Sequence, residues 1–388
     1  MTSTAQRKQL AKIHDDIEFY PHQIDGVRTL ARMKSFLLAD EMGLGKSLQA
    51  LTVAAIDFEK DWATRILIVA PAGLKGNWYD EIHDHTNFKP TILDGTPAQR
   101  EKQLDAFGSE GEDILIVNYE QVIPHLKQLN DMGFEIIIYD EAHYIKNPKA
   151  KRTKACQELR ADRHFLLTGS PMLGHVNDLW ALLYRINPAV ETYWRFLNRY
   201  AVFGGYKDKQ IVGVKNRDEL YERLQSVMVR RLKSEVLDLP EKQIIQIKVD
   251  LTPLQRKLYD EVFENMLLEA PDPMGAAPME IENALTKFLR LKQICGTPAA
   301  IKFEDGEPHP DQSAKLDVAC EKIEEICVEN NEHLIVFTQF RGVQAALVER
   351  LKHKRFKNVP VYQLHGDVPA SDRPADAHAR DAGVPAAR

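Results

Sequence analysis

Within the run Asp40-Glu-Met-Gly-Leu-Gly-Lys-Ser47, two glycines, a lysine and a hydroxyl fall close together, residue types suited to holding a polyphosphate. Gly43 and Gly45 let the backbone approach phosphate oxygens, the Lys46 ammonium neutralises them, and the Ser47 hydroxyl is a ligand for a hard cation such as Mg²⁺. Asp40, Glu41, Met42 and Leu44 complete the loop, with Asp40 standing where such loops usually carry their first glycine. A second block, Asp140-Glu-Ala-His143, sets two carboxylates side by side. In phosphoryl transfer such a pair divides the work: Asp140 binds Mg²⁺, usually through water, and Glu141 polarises the attacking water. Taken singly, the loop also fits a glycine turn that caps a helix, and the carboxylates fit a polar strand end. Both blocks in one chain, in this order, point to Mg²⁺-dependent phosphate chemistry.

Two smaller features belong with them. Gln23, in FYPHQIDG, offers an amide donor and acceptor to an adenine edge; its alternative is a solvated helix residue. Thr168-Gly-Ser170-Pro171 supplies hydroxyls that, with His143, would couple the terminal-phosphate region to a nucleic-acid path; its alternative is a plain turn.

These blocks need a scaffold that gathers them. Five short apolar runs supply it: FLLAD (Phe36–Asp40), RILIVAP (Arg65–Pro71), DILIVNY (Asp113–Tyr119), EIIIYDE (Glu135–Glu141) and HFLLTGS (His164–Ser170). Separated by helix-like segments, they predict an α/β lobe with a parallel sheet and helices on both faces, in which ligands collect at the carboxyl ends of strands. The loop follows the first run and opens a helix bearing Leu48, Leu51, Ala55 and Phe58. From about Asn187 to Asp311 charged amphipathic stretches such as Asp218–Val236 and Pro253–Leu268 predict a helical insertion, with a flexible loop at Ala270–Pro278. A helix at Lys315–Glu329 and buried strands at His333–Phe340 and Val359–Leu364 then open a second α/β lobe. The expected organisation is an arm (1–18), a first lobe (19–186), a helical protrusion and linker (187–311), part of a second lobe (312–368) and a disordered tail (369–388).

Bulk properties set limits. The chain has 388 residues, 44% of them hydrophobic, and a formal charge of −6; it has ample material for packed cores and no global basic field, so nucleic-acid contacts need local patches. No apolar run reaches the roughly 18 residues of a membrane span, and the polar start lacks a signal-peptide core. No membrane association is expected, and the location expected is cytoplasmic or nucleoid-associated, or nuclear in a eukaryote. The four cysteines form no C-x-x-C pair; Cys320 and Cys327 share a helical stripe with Leu316 and Ile323 and read as core. Trp62, Trp78, Trp180 and Trp194 fit amphipathic or turn positions, mostly as packing.

The ordered blocks PHQ (Pro21–Gln23), DEMGLGKS, APAGLKGNW, VNYE, DEAH and TGSP resemble the Swi/Snf-like ATPases of helicase superfamily two. The likeness continues through VMVRRLKSEVLDLPEK (Val227–Lys242), LTPLQRKLY (Leu251–Tyr259), LRLKQICGTP (Leu289–Pro298), HLIVFTQF and YQLHGD. It implies RecA-like lobes, ATP with Mg²⁺ as cofactors, and hydrolysis coupled to tracking along double-stranded DNA, usually without strand separation. It also implies DNA-backbone contacts at Lys75, Asn77, Trp78 and Asn118, within the segments Lys75–Trp78 and Asn118–Glu120. Basic patches at Lys149–Lys154, Arg230–Lys233 and Lys352–Lys357 are candidate phosphate contacts or solvated faces.

The sequence departs from the pattern in two places. MLGHVND follows TGSP where the family usually has a Gln-Asn-rich stretch, and the later second-lobe blocks, which carry arginines to the γ-phosphate, do not follow YQLHGD. The expectation is therefore a form shortened within the second lobe, more in keeping with an interrupted gene than a short protein, with weak turnover. An ATP-gated DNA-binding module without turnover and a strand-separating helicase are the alternatives.

Overall fold

The computed structural model describes residues 12–172, 174–205, 210–268, 281–301, 310–366 and 368. They divide into a unit up to Glu241 and a second unit from Lys242, a division inside the stretch read from sequence as one helical insertion.

In the first unit, α1 (Pro21–Arg32) starts on a proline, whose fixed φ suits a helix start. It is followed by β1 (Ser35–Leu38), α2 (Lys46–Glu59), β2 (Ile66–Ala70), α3 (Lys75–His85), β3 (Pro90–Ile92), α4 (Pro97–Ala106), β4 (Ile114–Asn118), α5 (Val122–Asp131), β5 (Ile136–Asp140), α6 (Lys151–Glu158), β6 (Arg163–Leu167) and α7 (Asn177–Ile186). Next come α8 (Tyr193–Tyr200), a hairpin of β7 (Ala201–Gly204) and β8 (Gln210–Val214), α9 (Arg217–Gln225), β9 (Met228–Val229) and α10 (Lys233–Val236). Seven strands form one sheet in the order β3-β4-β2-β5-β6-β1-β9, every pairing parallel.

Alternation along the strands explains the layers. Leu38, Ile66, Ile68, Ile114, Ile116, Ile138 and Phe165 pack on one face with residues of α1, α2 and α3. Leu37, Leu67, Val69, Leu115, Val117, Ile137 and Leu166 pack on the other with residues of α4, α5 and α6 and Leu182 of α7. Side chains two apart share a face, so strands that are apolar throughout need helices on both sides.

The five expected strands are present, and two short ones join them. β3 and β9 have only three and two residues, too few to show a period. Asp218–Val236, read as one amphipathic stretch, is instead α9, β9 and α10. The cause is Val227-Met228-Val229, whose apolar residues pair beside Leu37 and Leu38 and complete the sheet edge. Residues of the expected arm are packed as well: Ile13 is buried and bridges to Thr86, and Lys12 pairs with Asp113 at 2.5 Å.

In the second unit lie α11 (Pro253–Leu268), α12 (Ile281–Gly296), α13 (Ala314–Ile323), which runs on as a π-helical turn through Glu329, and α14 (Arg341–Leu351). Leu316, Cys320 and Ile323 form a small core with Val343, Leu347 and Phe356, and Cys327 packs against it, as their stripe predicted. The expected strands at His333–Phe340 and Val359–Leu364 are not formed. Ile335 and Phe337 are 77% and 90% exposed, and no neighbour among the described residues offers a ladder to either segment. The expected loop at Ala270–Pro278 and the tail 369–388 lie outside the described residues. Among those described, no helix is long and apolar enough to cross a membrane.

Candidate nucleotide site

Strand order puts the candidate residues together. β5, β6 and β1 are neighbours, in that order, so the Asp140–His143 turn, the Thr168–Ser170 turn and the loop Asp40–Ser47 leave one edge of the sheet side by side.

The loop is shaped by its glycines. Gly43 and Gly45 have φ of +82° and +70°, a region that side chains resist. A Cβ on Gly45 would lie 2.3 Å from Gln23 Nε2, so this position excludes a side chain for steric reasons too. α2 starts at Lys46 with Gly45 as its N-cap, and the helix opens from the loop as an anion cradle does. The Lys46 ammonium donates to the carbonyls of Asp40 (2.9 Å) and Glu41 (3.3 Å). Burial depresses its pKa, opposed first by Glu141 and then by Asp140. Ser47 and Glu41 are half-buried, while Met42 is exposed.

The loop is braced from behind. Gln23 is buried; its Oε1 accepts from the Tyr20 N–H at 3.0 Å and its Nε2 reaches the Leu44 carbonyl at 3.5 Å. His22 Nε2 lies 3.2 Å from the same carbonyl, and Gln49 Nε2 donates to Leu44 and Gly45 carbonyls. In this arrangement Gln23 braces the loop, and the solvated alternative does not hold.

Asp140 and Glu141 have different surroundings. Burial pushes the Asp140 carboxyl above the usual range, opposed by the Trp78 indole, whose N–H donates to Oδ2 at 2.8 Å. The Tyr119 hydroxyl donates to the Asp140 carbonyl at 2.6 Å. Glu141 has φ of +47°, a costly conformation for a residue with a Cβ and one that gathers at functional turns. Its Oε2 lies 3.0 Å from His143 Nδ1, and the Thr168 hydroxyl is 3.1 Å from that nitrogen and donates to Glu141 at 3.4 Å. Ser170 donates its backbone N–H to Thr168. The three residues read as coupling groups thus converge on Glu141 and the β6 turn.

Two expected DNA contacts point inward. Lys75 is buried, donates to the Leu93 carbonyl at 2.8 Å and lies 3.6 Å from Asp94; Trp78 is buried against Asp140. Their polar ends are consumed by the fold, so neither offers a surface to a nucleic-acid backbone. Asn77 is exposed, and Asn118 is half-buried with its Oδ1 accepting from the Gln121 N–H. Of the tryptophans, Trp78 and Trp180 are buried, whereas Trp62 and Trp194 are 60% and 65% exposed and pack at the surface against Lys60 and Tyr193, so two of the four are core.

The basic patch Arg230–Lys233, read from sequence as a phosphate contact or a solvated face, lies at the end of β9 and is engaged with the loop, a placement that sequence reading did not foresee. Arg231 pairs with Asp40 at 3.3 Å and donates its backbone N–H to the same carboxylate at 3.1 Å. Asp40, fully buried, has its pKa raised by desolvation against the pull of Arg231. The Arg231 guanidinium also donates to the His22 carbonyl. Arg230 donates to the carbonyls of Ala39 (3.3 Å) and Gly169 (2.9 Å), and the Lys233 N–H donates to Glu41 at 2.7 Å. The signal was Val-Met-Val before the arginines, a half-buried strand too short to stand out.

Residues 22–300 match the SNF2-related domain family. The chain belongs to that family. The TATA-binding protein-associated factor mot1 of Aspergillus fumigatus is 30% identical over 314 residues, covering 74% of this chain and 16% of that protein. The ISWI chromatin-remodeling complex ATPase ISW1 of Saccharomyces cerevisiae is 27% identical over 372 residues, covering 91% of this chain and 32% of its own. The SWI2/SNF2 ATPase core of Sulfolobus solfataricus, solved in complex with double-stranded DNA, is similar at 26% identity and a TM-score of 0.53, over 95% of this chain and 76% of that one. This SNF2-related chain thus spans only 16–32% of the length of these two curated relatives.

Proposed function

We propose that this SNF2-related chain binds Mg·ATP at the carboxyl ends of β1, β5 and β6 and hydrolyses it in response to duplex DNA, as a translocase does. The observation that carries the reading is the convergence of Lys46, Asp140 and Glu141 on one sheet edge, with Thr168 and His143 bonded to Glu141. The residues present suit the cofactor: a loop free of side chains at Gly43 and Gly45, a lysine within it, and a hydroxyl and a carboxylate, Ser47 and Asp140, as hard oxygen ligands. Bound Mg²⁺ supplies charge that stabilises the transferring phosphoryl group.

The protein's part is positioning. Lys46 exchanges its bonds to loop carbonyls for phosphate oxygens, assisted by Asp40, Glu41, Met42, Gly43, Leu44 and Gly45 as the loop wall and by Gln23 behind it. Glu141 orients the attacking water, with His143 and Thr168 fixing its carboxylate and Ser170 continuing the turn. Asn77 and Asn118 are the polar side chains assigned to the DNA backbone. DNA as the partner draws support from the Sulfolobus core solved with it.

The test is phosphate release from ATP with and without duplex DNA. Lys46→Ala and Glu141→Gln should each lower DNA-stimulated turnover by about 10²-fold or more, the scale of losing a main transition-state contact. Equal rates with and without DNA would remove the DNA half of the reading. Rates unchanged in both variants would remove the site. ATP-tightened DNA binding with background phosphate release would replace turnover with gated binding.

A further inference from the structure

β9 is a parallel neighbour of β1, so its carboxyl end leaves the sheet beside the phosphate loop. The ladder runs past both strands: the Ala39 N–H donates to the Val229 carbonyl at 2.7 Å and the Glu41 N–H to that of Arg231 at 3.0 Å. Register therefore sets Arg230 and Arg231 against Asp40 and Glu41, and the Lys233 N–H, at the start of α10, is held by the Glu41 carboxylate at 2.7 Å. Lys233 Nζ lies 3.1 Å from where a Cβ on Gly43 would sit, over a loop residue with no side chain to shield it.

The three cations differ in how they are matched. Arg231 is paired with Asp40. Arg230 binds two backbone carbonyls, and among the described residues neither it nor Lys233 forms an ion pair with a carboxylate. Arg230 also acts on Lys46 as a like charge. The carboxylates of the β5 turn stand on one side of the Lys46 loop and unmatched cations on the other, which is the polarity a metal-phosphate complex requires: metal toward Asp140, phosphate oxygens toward cations.

We propose that Lys233, with Arg230 beside it, binds the terminal phosphates of the nucleotide, so that the end of β9 forms a second cationic wall of the site. Arg231 is a positioning residue, acting through Asp40. The inference rests on the nucleotide site proposed above and reassigns Arg230–Lys233 from a DNA-facing patch to that site.

The test is equilibrium binding of Mg·ATP and Mg·ADP without DNA, and of a blunt DNA duplex without nucleotide, to the full chain and to Lys233→Gln, Arg230→Gln and Lys233→Arg. Lys233→Gln should weaken ATP about tenfold, on the scale of one charge-assisted hydrogen bond. It should weaken ADP less and leave duplex affinity and melting temperature unchanged. Lys233→Arg should restore most of the ATP affinity. Lys46→Ala is the reference. If it loses ATP while both glutamine variants stay within about twofold of the parent on the tenfold scale above, the second wall is overturned and the nucleotide site stands. If duplex affinity falls and ATP affinity does not, the patch serves DNA and the inference is again overturned. If Lys46→Ala itself binds ATP like the parent, the site falls with it.

Discussion

The runs Ile66–Ala70 and His333–Phe340 are built from similar residues and end differently. ILIVA is β2, paired on both sides and with no residue more than 0% exposed. In HLIVFTQF, Leu334, Ile335, Val336 and Phe337 are all exposed, Phe337 by 90%. The contrast teaches that β-branched, apolar composition states a demand for burial and does not supply the neighbours. In the first unit β4 and β5 meet that demand on either edge, and helices cover both faces. In the second unit the small core of Leu316, Cys320, Val343 and Leu347 forms from helices and leaves the strand-like run outside it.

Amide hydrogen exchange would break or sharpen this comparison most widely. Protection across Ile66–Ala70 should exceed that across residues 334–338 by roughly 10³-fold or more, because central strands exchange through near-global opening and unbonded segments do not. Equal protection would mean that the second run has found a ladder. The same substitution in both places tests the energetics. Ile68→Ala should destabilise the first unit by about 2–5 kcal/mol, the cost of a large-to-small change in a close-packed core. Ile335→Ala should stay within about 0.5 kcal/mol, read by denaturant titration. Similar losses at both would erase the distinction.

Acid offers a smaller and more specific effect. His164 lies buried beside Arg185, and burial, reinforced by that guanidinium, pushes its pKa down to about 3 from the ordinary 6.5. Between those values the unfolded chain takes up a proton that the folded chain refuses, so stability is present above the ordinary value and declines as pH falls through the window. Asp40 and Asp140, with pKa values raised by burial, act in the opposite sense and offset part of the loss. Melting temperature should therefore fall between neutral pH and about pH 4, and less steeply in His164→Gln, which lacks the titrating ring. Parallel slopes in the two proteins would contradict this.

What sequence made legible was local. The five long strands, the glycine loop and the acidic turn each occupy contiguous residues, and alternating strands and helices give a parallel sheet, whereas the order β5-β6-β1 that unites the site comes from the fold. What it hid was long-range. Arg231 and Asp40 are 191 residues apart, and β9, which joins them, has only two residues in its paired core. Lys75 and Trp78 were assigned to DNA from the family resemblance, and only the fold shows that Leu93 and Asp140 lie where those side chains arrive. Nor does composition tell Trp62 from Trp180, since both fit a helix border.

The smallest expected effect on stability is also the one that isolates the exposed run. Phe337 lines an open groove of about 530 Å³ with Tyr259, Phe263 and Phe288, where exposed aromatic rings meet the side chains of Lys292 and Lys315, and such rings offer apolar surface to environment-sensitive dyes. Trp62 is comparably exposed, yet the Lys60 ammonium sits 4.3 Å from its ring centroid, so it is isolated and charge-capped. Phe337→Ser should lower dye fluorescence of the native chain clearly while changing stability by less than about 0.5 kcal/mol, since little packing is removed. Trp62→Ser should leave the dye signal where it was. If both substitutions lower it equally, scattered exposed rings account for the signal and the groove is not a distinct apolar surface. If only Phe337→Ser does, the unmet demand for burial lies in the second unit, at the run whose composition matches β2.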